Sequence, residues 1–399
     1  MEGPDQATLT SVLVIVFVAA LAPLAADAIR RWLVVPATVL EILFGILIGP
    51  AVLGLARVDT VVDALAGLGL ALLFFLAGYE IDFTRTRGGP MVRALGSWGG
   101  SLVLGLAIGA LLGGARGDEI AAVFGIGLAL ASTALGTIMP MVRDSGVLGT
   151  SLGTDVIAVG AVGEFAPILT VAVLLSTERP LHATVLLLAF AAVALTAAGL
   201  AMRRTPQWLL GPVTTTLSTS AQFAVRLSVL AVVAMGWLAT ELHLDLVLGA
   251  FTAGVVVRLV LASISEREAA TVESKLEGLG FGMLVPFFFV TTGLQFDLNA
   301  LVSDVSALVL VPIALVALLV VRGLPVALGF RPRPERSRAA LALYAATTLP
   351  MVVVITNAGV MAGWLDPATA AGLVGAAMLS VLVYPLLAQR VHQPARERD

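Results

Sequence analysis

Glu164 lies near the middle of residues 148–176, an apolar segment long enough to cross a lipid bilayer. A charged carboxylate at that depth costs roughly 2.5–3.5 kcal/mol on insertion scales, so it is rarely kept there without an ionic task or a partner. Desolvation opposes the charged form of the acid, and either a proton or a metal cation can neutralise it. We therefore expect Glu164 to be a site at which a proton and a monovalent metal cation, Na⁺ or K⁺, compete.

The composition places the chain in a membrane. Of its 399 residues, 59% are hydrophobic and 12% are charged, which leaves too few polar residues to cover the surface of a soluble protein. Cysteine is absent, which excludes disulfides, thiolate metal sites and thiol catalysis. We expect no cofactor and no nucleic-acid partner; the expected partners are the lipid bilayer, monovalent cations and protons.

Apolar runs of about 20 residues predict an all-α polytopic membrane protein with about thirteen transmembrane helices. The predicted spans are 9–28, 33–53, 60–82, 91–114, 119–143, 148–176, 181–202, 221–240, 244–263, 279–296, 305–328, 338–360 and 367–389. With the N-terminus outside, 17 of the 23 basic residues are cytoplasmic, as the positive-inside rule requires. This topology gives a multi-pass protein of the cell membrane with a cytoplasmic C-terminus, and residues 263–280 are expected to form an amphipathic interfacial helix.

The chain contains an internal repeat. The sequence LFFLAGYEIDF (73–83) resembles FFVTTGLQFDL (288–298), with Gly78 aligned to Gly293. The predicted topology runs the two copies in opposite directions across the membrane. Inverted repeats of this kind are typical of secondary transporters that bind their substrate near the bilayer midplane.

Each half then has a segment rich in hydroxyls and helix breakers, at 128–140 and 344–359. Thr133 follows Gly78 by 55 residues and Thr347 follows Gly293 by 54, so the two segments occupy equivalent places. We predict two crossing broken helices, because unpaired backbone at membrane depth persists only where it lines a polar cavity. The expected breakers are Gly136, Pro140, Pro350 and Gly359, and the expected oxygen ligands for a cation are Ser132, Thr133, Thr347 and Thr348.

The two halves differ in their charges. The first repeat contributes an acid within its spans, Glu164, and the second repeat contributes a base, Arg322; neither charge has a counterpart at the equivalent place of the other repeat. We predict that Arg322 is the charge partner of Glu164; the alternatives are a purely structural ion pair and an arginine that snorkels towards the cytoplasm. Two further acids are expected to play supporting roles, Asp155 as a funnel or capping residue and Glu41 as a structural or gating residue.

An ordered series of motifs also carries a resemblance. These are VPATVLEILFGILIGPAVLG (35–54), LFFLAGYEID (73–82), LALASTALGTIMPMVRDSGVLGTSLG (128–153), VLGAFTAGVVV (247–257) and VPFFFVTTGL (285–294). The series resembles that of the monovalent cation:proton antiporters, in particular the second cation:proton antiporter family, which includes bacterial sodium/proton antiporters and Kef-type potassium efflux proteins. The resemblance implies a sodium/proton antiporter fold, a homodimer, and a six-helix core that moves like an elevator. It also implies that Glu164 stands at the ion site and Arg322 at the family's basic position.

The implied domains are N-terminal dimerisation helices (1–58), a first core repeat (59–176), dimerisation helices and an interfacial linker (177–277), a second core repeat (278–390) and a cytoplasmic tail (391–399). The chain departs from the family's pattern at the ion site and at the basic partner, which is an arginine rather than a lysine. Members of the family carry Asp-Asp, Gln-Asp or Asn-Asp at the ion site, whereas this chain carries Gly163-Glu164. Only one carboxylate is available, and an arginine does not release its proton. We therefore predict electroneutral exchange of one proton for each cation.

Two other functions remain open from the sequence. One is a sodium-coupled symporter of organic anions on a related inverted-repeat fold, and the other is a channel-like potassium flux protein. The chain contains no HExxH or P-loop pattern, so the sequence indicates a transporter rather than an enzyme.

Overall fold

The computed structural model describes residues 5–29, 35–80, 88–113, 119–174, 222–242, 244–261 and 266–392, with isolated residues between 188 and 199. Every regular element in these residues is helical. The predicted all-α membrane class is therefore confirmed.

The described helices follow one another in chain order and include two π-helical turns, π1 and π2. They are α1 (Gln6–Ile29), α2 (Ala37–Ile48), α3 (Thr60–Tyr79), α4 (Gly89–Gly113), α5 (Glu119–Leu130), α6 (Leu135–Asp144), α7 (Ser151–Leu174), α8 (Phe223–Glu241), α9 (Leu246–Leu261), α10 (Glu266–Leu279), π1 (Gly280–Leu284), α11 (Val285–Gln295), α12 (Leu298–Ser303), α13 (Val305–Leu318), π2 (Leu319–Gly323), α14 (Leu324–Gly329), α15 (Glu335–Ala345), α16 (Pro350–Met361) and α17 (Pro367–His392).

Ten helices in the described residues are long and apolar enough to cross a membrane, and α2 and α9 are shorter apolar helices. The predicted span 181–202 lies largely outside the described residues, so the total of thirteen stays a prediction, as does the orientation of the N-terminus. The predicted amphipathic linker is helical, as α10, and it continues through π1 into α11 as one helix, Arg267–Gln295.

The chain divides into two compact units. The first comprises Met1–Ala19, Val58–Ile81 and Ala172–Thr291. In this unit α3 and α9 pack backbone against backbone: Gly78 lies against the carbonyl of Phe251, and Gly254 lies against the carbonyl of Phe75. A methyl group at either glycine would overlap the facing carbonyl. This packing places α3 against α9, and the predicted domain boundaries stay a prediction.

The second unit comprises Ala20–Arg57, Asp82–Val171 and Thr292–Asp399. Its last helix, α17, packs against α13 and α15, and the hydroxyl of Tyr384 donates a hydrogen bond to the carbonyl of Leu315. Gly293, the repeat partner of Gly78, lies against the carbonyl of Ile42 in α2. Each glycine of the matched pair thus allows a neighbouring helix backbone to approach closely, which is the reason for a glycine at both places.

Candidate functional site

The first broken helix runs from α5 to α6, with a non-helical break at Ala131–Ala134. Two amides of the break find partners outside their own helix. Thr133 donates its N–H to the carbonyl of Gly163 at 2.9 Å, and Ala134 donates to the carbonyl of Thr347 at 2.9 Å. The interruption is therefore stabilised by neighbouring segments, which satisfy backbone groups that would be costly to leave unpaired in a membrane.

The position of this break differs from the sequence-based prediction. The break falls within the predicted segment 128–140, but Gly136 and Pro140 both lie inside α6, after the interruption. The reason is that long-range hydrogen bonds to Thr133 and Ala134 replace the helical ones, so no helix-breaking residue is needed there.

The second broken helix runs from α15, which ends at Ala345, to α16, which begins at Pro350. Pro350 occupies the first position of α16, where its missing N–H leaves no helical hydrogen bond unmade, whereas Gly359 lies within α16. Ser380 in α17 contacts this break. Its hydroxyl accepts from the N–H of Thr348 at 3.1 Å, and its one proton is shared between the carbonyls of Thr348 at 2.9 Å and Ala377 at 2.7 Å. The sequence did not single out Ser380 as a site residue, although the repeat places it one residue after the equivalent of Glu164.

The two breaks meet, so the predicted crossing is present. The hydroxyls of Ser132 and Thr348 are 2.6 Å apart, and the hydroxyl of Thr133 donates to the carbonyl of Ala345 at 2.6 Å. The hydroxyl of Thr347, in the second break, donates to the carbonyl of Leu343 in α15 at 3.1 Å. All four predicted oxygen ligands are fully buried at the crossing. Their protons are engaged in hydrogen bonds with one another or with carbonyls, and lone pairs remain on their oxygens.

Glu164 is only 2% exposed and reaches the start of α6. Its Oε2 atom accepts the N–H of Leu135 at 3.1 Å, and its carboxyl group also accepts a hydrogen bond from the backbone amide of Gly136. These are the first two amides of the helix, which carry the positive end of the helix dipole. The carboxylate thus caps the half-helix that follows the break, and Gly136 contributes an amide donor rather than the break itself.

Arg322 is fully buried in π2. Its guanidinium donates to Thr133 Oγ1 at 2.7 Å, to the Val159 carbonyl at 2.8 Å and to Ser101 Oγ at 3.5 Å. Within the described residues it forms no ion pair with Glu164. The predicted direct charge partnership is thus replaced by an indirect one, because neutral oxygens satisfy the guanidinium and helix amides satisfy the carboxylate. The snorkelling alternative is excluded by the complete burial of Arg322.

Asp155 is also fully buried in α7, but it pairs with an arginine that the sequence did not single out. Arg333, between α14 and α15, donates from Nε to Asp155 Oδ2 at 2.6 Å and from Nη2 to Oδ1 at 3.0 Å. The hydrogen bond to Asp155 raises the pKa of the Arg333 guanidinium above its usual value. Asp155 therefore anchors the segment that leads into the second broken helix, and it does so as an ion-pair partner rather than as a helix cap.

Glu41 lies in α2 and is 4% exposed. Its Oε2 atom has no hydrogen-bond partner within the described part of the chain. The structure thus confirms that Glu41 is buried, and its gating or structural role stays a prediction.

Two half-helices that cross at buried hydroxyls, with an acid capping one of them, define the class of inverted-repeat membrane transporters. Residues 14–391 match the sodium/hydrogen exchanger transmembrane family, so the chain belongs to that family. The predicted family resemblance is confirmed.

Individual relatives agree with this assignment. The glutathione-regulated potassium-efflux protein KefC of Shigella flexneri is 30% identical over 397 residues, which cover 92% of this chain and 61% of KefC. The Na⁺/H⁺ antiporter of Enterococcus hirae is 24% identical over 375 residues, which cover 90% of this chain and 92% of the relative. This chain therefore spans about three fifths of the length of KefC.

A solved structure shows the same fold. The sodium/proton antiporter MjNhaP1 of Methanocaldococcus jannaschii superimposes with a TM-score of 0.66 and 15% identity, over 96% of each chain. At this identity the likeness supports the fold alone, and the predicted sodium/proton antiporter fold is confirmed.

Proposed function

We propose that the protein is a secondary antiporter that exchanges a monovalent metal cation, Na⁺ or K⁺, for protons across the cell membrane. The observation that carries the proposal is Glu164, a buried carboxyl at the crossing of two broken helices, capped by the first amides of α6. Family membership and relatives described as Na⁺/H⁺ and K⁺ transport proteins support it.

The exchange would follow from competition at one group. The amides of Leu135 and Gly136 stabilise a charged carboxylate at Glu164. That carboxylate can take either a proton or a metal cation, and hard cations prefer oxygen ligands of the kind that the crossing supplies. Because the two ligands exclude each other, release of one is coupled to uptake of the other. Ser132, Thr133, Thr347 and Thr348 are the proposed oxygen donors.

The single carboxylate also sets the proposed stoichiometry. Arg322 keeps its proton in every state of the cycle and adds no second proton carrier. Each cycle then moves one proton against one monovalent cation, and the exchange is electroneutral. Alternating access by an elevator-like core in a homodimer completes the proposal and rests on the family resemblance.

The test is dye dequenching in proteoliposomes that carry a pH gradient, with Na⁺, K⁺ or choline added outside. We expect Na⁺ or K⁺ to dissipate the gradient and choline to leave it intact. Glu164→Gln should abolish the cation effect, because a carboxamide neither binds a proton nor attracts a cation. Glu241→Gln, at an exposed carboxyl at the end of α8, is the matched control and should behave like the wild type.

The same assay separates the alternatives. A channel would pass cations without moving protons, and a sodium-coupled symporter would need an organic anion before Na⁺ moved. Full exchange by the Glu164→Gln variant would overturn the assignment of the site.

A further inference from the structure

Gly163 occupies a crowded position beside Glu164. Its carbonyl accepts the N–H of Thr133 in the first break at 2.9 Å. A Cβ atom built on Gly163 would overlap Nη2 of Arg322, and it would lie 2.6 Å from Oγ1 and 2.7 Å from Cβ of Thr133. The space that a side chain would take at residue 163 is therefore filled by Arg322 and Thr133.

The guanidinium that occupies this space carries a buried positive charge. Arg322 is fully buried, and a buried cation is costly unless its donors are satisfied. Its Nε bond to Thr133 and its Nη2 bond to the Val159 carbonyl both require the guanidinium to lie against α7 at Gly163. A side chain at Gly163 would push the guanidinium out of this place and away from both acceptors.

Three separate elements meet at Gly163: the break of the first broken helix through Thr133, α7 through Gly163 itself, and π2 through Arg322. We infer that Gly163 is a positioning residue for exchange, whose missing side chain seats Arg322 beside Glu164 without pairing the two. The inference rests on the proposed function, since it assigns Gly163 a part in the same site.

The site has the same charge with either load. Arg322 contributes one positive charge at all times, whether or not it is paired. The pair of Arg322 and Glu164 then carries a net charge of +1 when Glu164 holds a proton, and the same +1 when Glu164 holds a monovalent cation. The proton-bound and the cation-bound forms therefore have the same net charge. Moving the core across the membrane should cost the same electrostatic free energy with either ligand bound.

The experiment compares Gly163→Ala, Arg322→Lys and the double variant, each reconstituted in proteoliposomes for cation-driven proton exchange. Gly163→Ala should slow exchange by about tenfold to a hundredfold, the usual effect of misplacing a group near a reacting site. Lysine lacks the guanidinium fork whose Nη2 atom the new methyl group meets, so the double variant should exchange faster than Gly163→Ala alone. Gly96→Ala, in α4 with open space around its Cα, is the matched control and should match the wild type.

Thermal unfolding in detergent gives a second reading of the same pair. The melting temperatures should be non-additive, with Arg322→Lys partly relieving the loss caused by Gly163→Ala. If Gly163→Ala gives no folded protein, recovery of folded protein in the double variant supports the inference.

Three outcomes would overturn the inference. The double variant could have both a slower exchange rate and a lower melting temperature than Gly163→Ala. Gly163→Ala and the double variant could both fail to fold while Arg322→Lys folds, or Gly163→Ala could behave like Gly96→Ala. The Glu164→Gln arm is independent of these outcomes. Loss of exchange in Glu164→Gln together with an unaffected Gly163→Ala would reject the positioning role of Gly163 and leave the proposed function standing. Full exchange by Glu164→Gln would reject the proposed function, while non-additive melting temperatures would still show that Gly163 positions Arg322.

Discussion

Replacement of Arg333 by glutamine tests whether the second broken helix is anchored through Asp155. The side chain of Asp155 is 1% exposed and that of Arg333 is 28% exposed, so the acid is the buried member of the pair. Removing one partner of a buried ion pair costs about 3–5 kcal/mol, because the other charge is left uncompensated. Solvent reaches the arginine, so we expect a loss near the lower end, about 3 kcal/mol.

The opposite substitution should cost less. After Asp155→Asn the guanidinium of Arg333 can turn towards water, and the loss should be about 1 kcal/mol, the size of an ordinary hydrogen bond. The double variant should be more stable than Arg333→Gln, because it no longer buries a bare carboxylate. The measurement is the free energy of unfolding in detergent micelles, with Arg331→Gln, an exposed arginine of the same loop, as the control. If Asp155→Asn costs as much as Arg333→Gln, or the two losses add in the double variant, the pair does not act as a buried anchor.

Two further outcomes are expected. An imposed membrane potential, set with valinomycin and K⁺ in proteoliposomes driven by Na⁺, should leave the rate of exchange unchanged, because one proton moves against one cation. Each net charge moved would otherwise change the driving free energy by about 2.3 kcal/mol per 100 mV. A clear dependence of the rate on the potential would reject the one-carboxylate argument. Ser380→Ala removes the hydroxyl that contacts the N–H and the carbonyl of Thr348, so it should lower the stability by about 1–3 kcal/mol and slow exchange. Ser303→Ala, at an exposed serine, should do neither. Thermal unfolding measures the stability and the dye assay measures the exchange; an unchanged Ser380→Ala variant would show that α17 does not hold the second break.

Much of the fold could be predicted because its signals are local. Apolar runs of spanning length located the helices, and the nearly equal spacing of Thr133 from Gly78 and of Thr347 from Gly293 located both broken segments. The exact break in the first helix could not be predicted, because the carbonyls of Gly163 and Thr347 that stabilise it are distant in the sequence. Glycine and proline mark where a helix can end, whereas tertiary hydrogen bonds decide where this one does.

The candidate site could also be predicted only in part, because its contacts are between residues distant in the sequence. The depth of Glu164 and Arg322 within their spans predicted two buried charges, and both are buried. Depth does not tell which atoms a charged group contacts, so the direct pair between them was expected but is not formed. Arg333 gave no signal of its own, because four arginines lie within residues 331–338 and nothing in their types marks the one that meets Asp155.

The π-turn π2 carries Arg322, and its geometry makes the length of that helix as important as its composition. A π-turn holds one more residue than the α-helical turn that it replaces. Deleting a single residue within the turn, such as Val320, would let it close to regular α-helical pitch while the helix on either side keeps its register, so the guanidinium would stay close to its place. Deleting one residue from the regular part of α13 would instead turn the guanidinium by about 100° around the helix axis. Homologous chains that lack one residue within this turn should therefore keep the arginine at the crossing, whereas chains that lack one residue in the regular part of α13 should lose it.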